Sequence, residues 1–133
     1  MIQPGTSVAS QDYHDRSHPL ISIIIPVLQE EKLLSRTMSI FTPERKRRFG
    51  LEIIVSDGGS TDATISIAKE IADKVICHTE QRRQTIAEGR NKGAEHAQGD
   101  IFVFLNADTF PADPDEFRTN FIKCQRKLFQ ALT

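Results

Sequence analysis

The sequence has no long apolar run, little cysteine and almost no net charge, and each shortage excludes a class of protein. No apolar stretch approaches the roughly 18 to 20 residues that cross a bilayer, and no basic region followed by an apolar core opens the chain, so neither a membrane span nor a signal peptide is predicted. Cys77 and Cys124 lack metal-ligand spacing; as free thiols they indicate a reducing, cytoplasmic location. A formal net charge of −1 argues against a nucleic-acid-binding protein.

The length of 133 residues is typical of one domain. Residues 1–18 are polar and have no apolar periodicity, which predicts a flexible leader. Residues 19–133 are predicted to form the domain. A chain of this size buries roughly two thirds of its unfolded surface, which is enough for a hydrophobic core.

Short apolar segments alternate with segments of helical periodicity along this domain. Strands are predicted at 20–27, 51–55, 74–78 and 101–105. Helices are predicted at 30–41, at a segment that follows a cap at Ser60 or Thr61, at 81–98 with a loop-like start and Ile86 facing inward, and at 115–130. Such alternation implies right-handed crossovers between parallel strands. The predicted fold class is therefore α/β, with a mainly parallel sheet of about four strands flanked by helices.

Two segments carry more specific expectations. The unbroken apolar run at 101–105 predicts a strand that is covered on both faces. Residues 45–48 read Arg-Lys-Arg-Arg, and two interpretations are open. The run could bind an anionic membrane surface or an acidic partner. The favoured interpretation is a solvated connection between a helix and the next strand.

Polar residues follow three of the predicted strands directly. Glu30 lies just beyond the first strand, Asp57 follows the second, and Asn106 and Asp108 follow the fourth. In parallel sheets, ligands bind outside the carboxyl ends of the strands. These side chains are therefore expected to meet at one edge of the sheet.

The chemistry of that edge suits a nucleotide diphosphate. The Asp57 carboxylate can accept a hydrogen bond from an imide N–H such as that of uracil. Asn106 can bond ribose hydroxyls, and Asp108 is a hard oxygen ligand for a divalent cation that bridges phosphates. Arg90 can add a guanidinium contact to phosphate or base.

Three blocks of sequence together resemble the family 2 glycosyltransferases. Residues 23–31, Ile-Ile-Ile-Pro-Val-Leu-Gln-Glu-Glu, resemble that family's opening strand and turn. Residues 52–62, Glu-Ile-Ile-Val-Ser-Asp-Gly-Gly-Ser-Thr-Asp, are similar to its second strand and acidic turn. Residues 90–93, Arg-Asn-Lys-Gly, and the stretch 99–109 match its third block, in the same order.

The resemblance implies a Rossmann-like GT-A fold, here its N-terminal half, that binds a UDP- or GDP-linked sugar together with Mn²⁺ or Mg²⁺. It also implies roles for single residues: the base-binding acid (Asp57), the loop that lines the base (Pro26, Leu28, Glu30), the polar pair beside the nucleotide (Arg90, Asn91), and the Asp-x-Asp position, where Asn106 replaces the first acid and Asp108 is the metal ligand.

The same resemblance implies which parts the chain lacks. Leu28-Gln29 stands where the family has tyrosine-asparagine, which removes an aromatic stacking surface. The family's general base and acceptor pocket come from a C-terminal half, and no residue after Thr109 is a convincing candidate. We therefore expect a short or truncated donor-binding half, with nucleotide binding but little transferase activity alone and no known catalytic base.

Two other functions remain open on the sequence. A non-catalytic nucleotide-binding or interaction module would lack the same residues by design. A signalling receiver domain would use Asp57 as its phosphoacceptor, although no lysine closes a fifth strand. A truncated enzyme is expected to expose apolar surface and to self-associate, whereas a complete module is not.

Overall fold

A computed structural model describes residues 20–108 of the chain. Its elements in order are β1 (Ile21–Val27), α1 (Glu31–Met38), α2 (Pro43–Phe49), β2 (Leu51–Asp57), α3 (Thr64–Ile71), β3 (Lys74–Cys77), α4 (Ile86–Glu95) and β4 (Ile101–Phe104). The predicted leader, the predicted helix at 115–130 and Cys124 lie outside the described residues. Within this range, no helix has the length and apolar character needed to traverse a bilayer.

The four strands form one sheet in the order β3-β2-β1-β4. All three neighbouring pairs are parallel. Each connection between consecutive strands passes through at least one helix. The predicted α/β fold with a parallel sheet of four strands flanked by helices is confirmed.

The hydrophobic core lies mainly on one face of the sheet. Alternate residues of β1 and β2, including Ile23, Ile25, Ile53 and Val55, pack there with buried side chains of α1 and α3. On the other face α4 lies against β1 at Gly93, where an added Cβ would overlap Ile24. A glycine is needed at this position because the helix and the strand approach so closely.

The helix predicted at 30–41 ends early and a second helix follows it. The basic run at 45–48 lies in this second helix and not in a loop that connects a helix to the next strand. α1 ends at Met38, and Thr42 caps a new helix by accepting a hydrogen bond from Arg45 N at 3.2 Å. Pro43 occupies the first turn, where its missing N–H has no consequence, so it starts α2 instead of only ending α1. Residues 45–48 are therefore helical, and Lys46 pairs with Asp73 at 2.8 Å.

The predicted inward position of Ile86 and the predicted cap of α3 are wrong. The stretch 81–98 does start as a loop, because Thr85 forms a capping box with Glu88 and α4 begins at Ile86, but Ile86 is 66% exposed instead of facing inward. α3 begins at Thr64, and neither Ser60 nor Thr61 caps it. Asp62 supplies the oxygen there, accepting a hydrogen bond from Thr64 N at 3.0 Å.

β4 is not covered on both faces by the described residues. Among residues 20–108 it pairs with β1 alone, and Phe102 and Phe104 are 43% and 46% exposed. Ile101, Val103 and Leu105 pack toward the core. The apolar run thus follows the alternation of a strand with one buried face.

Candidate functional site

The carboxyl ends of β2, β1 and β4 are adjacent, and the predicted site residues follow them. Val27 pairs with Asp57 across β1 and β2, and Ile24 pairs with Phe104 across β1 and β4. The three chain segments therefore leave the sheet at the same edge. The structure places Asp57, Glu30 and the 106–108 segment together on this edge.

Asp57 is buried, and its two carboxylate oxygens have different surroundings. Asp57 is the last residue of β2, and 1% of its surface is exposed. Oδ2 accepts hydrogen bonds from Gly59 N at 2.9 Å and Ser60 N at 2.8 Å, which fixes the turn. Oδ1 is buried and has no hydrogen-bond partner among the described residues. Buried polar atoms without a partner are rare, so Oδ1 is available to a ligand donor.

The loop after β1 is joined to the turn after β2 by Gln29. This residue has a positive φ of 54°, which turns its amide toward the second loop. Its Oε1 accepts from Thr61 N at 2.7 Å, its Nε2 donates to Thr61 Oγ1 at 3.0 Å, and its backbone N donates to Ser60 Oγ at 2.9 Å. In the sequence, Gln29 was notable only as part of the Leu28-Gln29 pair that replaces tyrosine-asparagine. In the structure it connects two loops of the site.

We expect Gln29→Ala to lower the free energy of unfolding by about 1 to 2 kcal/mol, because it removes two or more side-chain hydrogen bonds at a net value of about 1 kcal/mol each. Urea unfolding of both proteins measures this difference. Gln81→Ala is the control, since Gln81 is exposed on another loop. Equal midpoints for the Gln29 and Gln81 variants would show that the amide does not join the loops.

The 106–108 segment is anchored by its middle residue. Ala107 is 4% exposed, and its carbonyl accepts a hydrogen bond from Thr37 Oγ1 of α1 at 2.5 Å. Asn106 and Asp108, on either side, are exposed. Because Ala107 is buried and its carbonyl is hydrogen-bonded, Asn106 and Asp108 face outward at the edge of the sheet.

Arg90 connects α4 to this segment. Its Nη2 donates to Asn106 Oδ1 at 3.5 Å, and its guanidinium lies 6.0 Å from the centre of the Phe104 ring. The Nε of Arg90 is buried and has no hydrogen-bond partner in the described part of the chain. The guanidinium thus retains donor capacity beside Asn106.

The donor set suits a divalent cation that also binds a ligand's phosphates. Within residues 20–108, no group of three or more His, Cys, Asp or Glu side chains could hold a metal by itself. Mg²⁺-type ions, however, commonly take one or two protein carboxylates and complete their shell with phosphate oxygens and water. The exposed Asp108 carboxylate and the Asn106 amide oxygen are hard ligands of this kind.

The remaining predicted site residues lie at the same edge with fewer contacts. Leu28 is 40% exposed at the turn after β1, and the backbone N of Glu30 donates to Thr64 Oγ1 at 2.9 Å. Pro26 lies near α4, where a Cβ added to Gly89 would be 3.5 Å from the Pro26 Cβ. Asn91 is exposed on α4. Their roles stay predictions.

The contacts that hold the loop before α4 were not predicted from the sequence. Arg82 binds both carboxylate oxygens of Glu88, at 3.0 Å and 2.7 Å, and this hydrogen-bonded pair lowers the pKa of the Glu88 carboxyl to about 2. His78 Nε2 lies 2.8 Å from the Arg82 carbonyl oxygen. Gln84 lies in the loop that these contacts hold, and it is buried. The capping-box spacing of Thr85 and Glu88 was the available signal, because it locates the start of α4 and hence the loop.

Comparison with known proteins agrees with this geometry. Residues 22–117 match the family model described as Glycosyl transferase family 2. A dolichyl N-acetyl-alpha-D-glucosaminyl phosphate 3-beta-D-2,3-diacetamido-2,3-dideoxy-beta-D-glucuronosyltransferase of Methanococcus voltae is 33% identical over 112 residues, which cover 80% of this chain and 34% of that protein. This chain thus spans about a third of the length of that relative.

Two solved structures share the fold. One is glucosyl-3-phosphoglycerate synthase from Mycobacterium tuberculosis with Mn²⁺, UDP and glucosyl-3-phosphoglycerate (TM-score 0.56, 24% identity, 86% of this chain, 42% of that one). The other is the mannosyltransferase PcManGT from Pyrobaculum calidifontis with GDP-Man and Mn²⁺ (TM-score 0.54, 22% identity, 83% of this chain, 36% of that one). At these identities the likeness concerns the fold.

Proposed function

The chain belongs to glycosyltransferase family 2, and from this premise we propose that it binds a nucleotide-diphospho sugar as the donor-binding part of a glycosyltransferase. The observation that carries the proposal is the buried Asp57 carboxylate, whose Oδ1 has no partner among residues 20–108 and lies at the edge where three strands end. The resemblance to solved complexes with UDP, GDP-Man and Mn²⁺ supports the same class of ligand.

Each side chain at the edge has a distinct task in this proposal. Asp57 Oδ1 accepts an N–H from the nucleotide base, and its fixed orientation selects bases that carry such a donor. Arg90 and Asn106, already in contact, face the ribose and the phosphates, where a guanidinium donates to phosphate oxygens and an amide bonds hydroxyl groups. Pro26, Leu28, Glu30 and Asn91 border the nucleotide.

Asp108, assisted by Asn106, would hold the divalent cation Mn²⁺ or Mg²⁺ together with the diphosphate. When bound, such a cation offsets the negative charge of a departing nucleoside diphosphate. Asn106 carries no charge, so only one protein carboxylate of this segment faces the cation. We therefore expect the metal to bind more tightly with nucleotide present than without it.

Transfer to an acceptor needs a general base beside the attacking hydroxyl. The proposal assigns no carboxylate at the described edge to this task, since Asp57 serves the base, Asp108 the metal, and Glu30 the loop that borders the nucleotide. We propose that the chain alone binds the donor and transfers sugar slowly or not at all. A non-catalytic nucleotide-binding module would share the binding step. It is expected to be monodisperse, whereas a truncated enzyme half is expected to self-associate, and the molecular mass in solution distinguishes the two.

The surface supports two further proposals about partners. The exposed Phe102 and Phe104 on the edge strand are apolar groups through which copies could associate. Arg47 and Arg48 are exposed on α2 and suit peripheral contact with an anionic membrane. Both proposals rest on surface composition, whereas the proposed cytoplasmic location rests on the two cysteines as free thiols. A receiver function is not retained, because the family assignment accounts for Asp57 without phosphorylation.

Calorimetric titration of the 133-residue chain with UDP and with GDP, each with and without Mn²⁺, tests the proposed function. We expect saturable binding of at least one nucleotide, strengthened by Mn²⁺. Absence of binding by every nucleotide to a sample that circular dichroism shows to be folded would refute the proposal.

Asp108→Ala is expected to remove the Mn²⁺ dependence of nucleotide binding, because it deletes the carboxylate proposed to hold the cation. We expect the parent to bind at least about tenfold more tightly with Mn²⁺, in line with a charge-assisted contact of 1.5 kcal/mol or more. Glu95→Ala, at an exposed position of α4, is the control and should keep the full dependence. If the Asp108 variant keeps the same ratio of affinities with and without Mn²⁺, the metal assignment is wrong.

A further inference from the structure

Gln84 is a buried amide that the fold does not use. The residue is 9% exposed and lies in the loop that Arg82 and Glu88 hold in place. Its Oε1 is buried and makes no hydrogen bond within residues 20–108. Gln84 makes no other side-chain hydrogen bond among these residues, so its NH₂ group is also available to donate to a ligand.

The Gln84 amide lies at the same edge as Asp57. A Cβ added to Gly58, the residue after Asp57, would be 3.7 Å from Gln84 Nε2, and one added to Gly89 of α4 would be 3.0 Å from the same atom. The amide therefore lies between two glycines, one from the Asp57 turn and one from the first turns of α4. A Cβ on Gly89 would approach the amide closely, whereas one on Gly58 would only touch it.

We propose that Gln84 reads the nucleotide base together with Asp57, and that the base is uracil. This inference rests on the proposed function and deepens it. The buried carboxylate oxygen accepts the imide N–H of the base, and the Gln84 amide donates to the carbonyl beside that N–H. A primary amide has one carbonyl oxygen and one NH₂ group with two hydrogens, and its orientation can place the NH₂ group toward the carbonyl of the base.

The number of free acceptors favours uracil over guanine. The guanine edge presents two adjacent donors, the ring N–H and the amino group, which a carboxylate binds best with both oxygens free. Asp57 Oδ2 already accepts two backbone N–H groups, so only Oδ1 remains. Uracil presents one N–H flanked by carbonyl oxygens, which matches one acceptor beside one donor. Cytosine has an unprotonated nitrogen in place of that N–H and would face Oδ1 with a lone pair.

Titration of the 133-residue chain with UDP, CDP and GDP in the presence of Mn²⁺ tests the base. We expect UDP to bind at least about tenfold more tightly than CDP and more tightly than GDP, since one charge-assisted hydrogen bond is at stake. Tighter binding of GDP than of UDP, or equal binding of UDP and CDP, would overturn the inference while leaving nucleotide binding intact. Absence of binding by all three would overturn the proposed function as well.

Two variants test Gln84 itself. Gln84→Leu should weaken UDP about tenfold and leave the affinity for inorganic pyrophosphate with Mn²⁺ unchanged, because only the base contact is removed. Gln84→Glu keeps shape and polarity but replaces the donor by a second acceptor, so the preference for UDP over GDP should fall at least about tenfold. Gln81→Leu, in the same loop but exposed, is the matched control. UDP affinity in both Gln84 variants equal to that of the parent would overturn the inference, and the Gln84→Glu ratio decides it if the leucine variant unfolds.

Discussion

Replacing Asp57 by asparagine is expected to weaken nucleotide binding about hundredfold with little change in shape. The substituted amide keeps one oxygen, which the backbone N–H groups of Gly59 and Ser60 require to hold the turn. Its NH₂ group then occupies the position of Oδ1 and opposes the donor of the base. The loss of a charge-assisted hydrogen bond and the new donor–donor contact together correspond to about 3 kcal/mol.

Calorimetry with UDP and Mn²⁺ measures this effect, and Asp73→Asn is its matched control. Asp73 also accepts a backbone hydrogen bond, from Ile53 N at 2.7 Å, but it precedes β3 at the opposite edge of the sheet. The Asp73 variant should lose stability and keep its UDP affinity. A UDP affinity of the Asp57 variant within a factor of about three of the parent would exclude a direct contact between Asp57 and the nucleotide.

The sheet was predictable because its strands carry a strong and simple signal. β1 and β2 each contain three consecutive β-branched apolar residues, at 23–25 and 53–55, and buried strands in parallel sheets are rich in such residues. The helices between them then required parallel pairing, which the structure confirms. β4 carries the same signal but is the outermost strand of the sheet that residues 20–108 form, and no local pattern distinguishes an outer strand from a central one.

The division between α1 and α2 was not predictable from apolar periodicity. Ile40 and Phe41 continue the spacing of Leu34 and Met38 closely enough to extend one helix, yet both are buried outside any helix. The decisive signal is local, namely Thr42 as N-cap followed by a proline in the first turn. The same two residues read as a helix end when only the preceding segment is considered.

The acidic residues of the candidate site were predictable, and its amides were not. Asp57 and Asp108 follow strands, so topology alone brings them to one edge. Gln29 and Gln84 lie in loops, and their positions depend on a positive φ in one case and on the Arg82–Glu88 pair in the other. Neither position follows from the spacing of residues in the sequence. The structure was needed to show that Gln29 joins two loops and that the Gln84 amide lies near the Asp57 turn.

Glu52→Ala is expected to lower the free energy of unfolding by about 3 kcal/mol, the largest effect on stability that we predict. Glu52 is 8% exposed in β2 and serves three donors at the amino edge of the sheet. Ser22 Oγ donates to its Oε2 at 2.6 Å, Gln98 N donates to the same oxygen at 2.9 Å, and Lys74 Nζ lies 3.0 Å from Oε1.

The size of this effect follows from the groups that alanine would leave behind. The Ser22 hydroxyl and the Gln98 N–H would lose their acceptor at the amino edge, and Lys74 would lose its counter-charge, so two hydrogen bonds and one ion pair disappear together. Glu52→Gln keeps an oxygen for Ser22 and Gln98 and loses only the charge, so a loss of about 1 kcal/mol is expected for this variant.

Urea unfolding of the parent and the two variants measures both losses of stability. A loss below about 1 kcal/mol for the alanine variant would mean that water replaces the carboxylate at this edge, and the link between β1, β2 and the segment before β4 would then rest on backbone pairing alone.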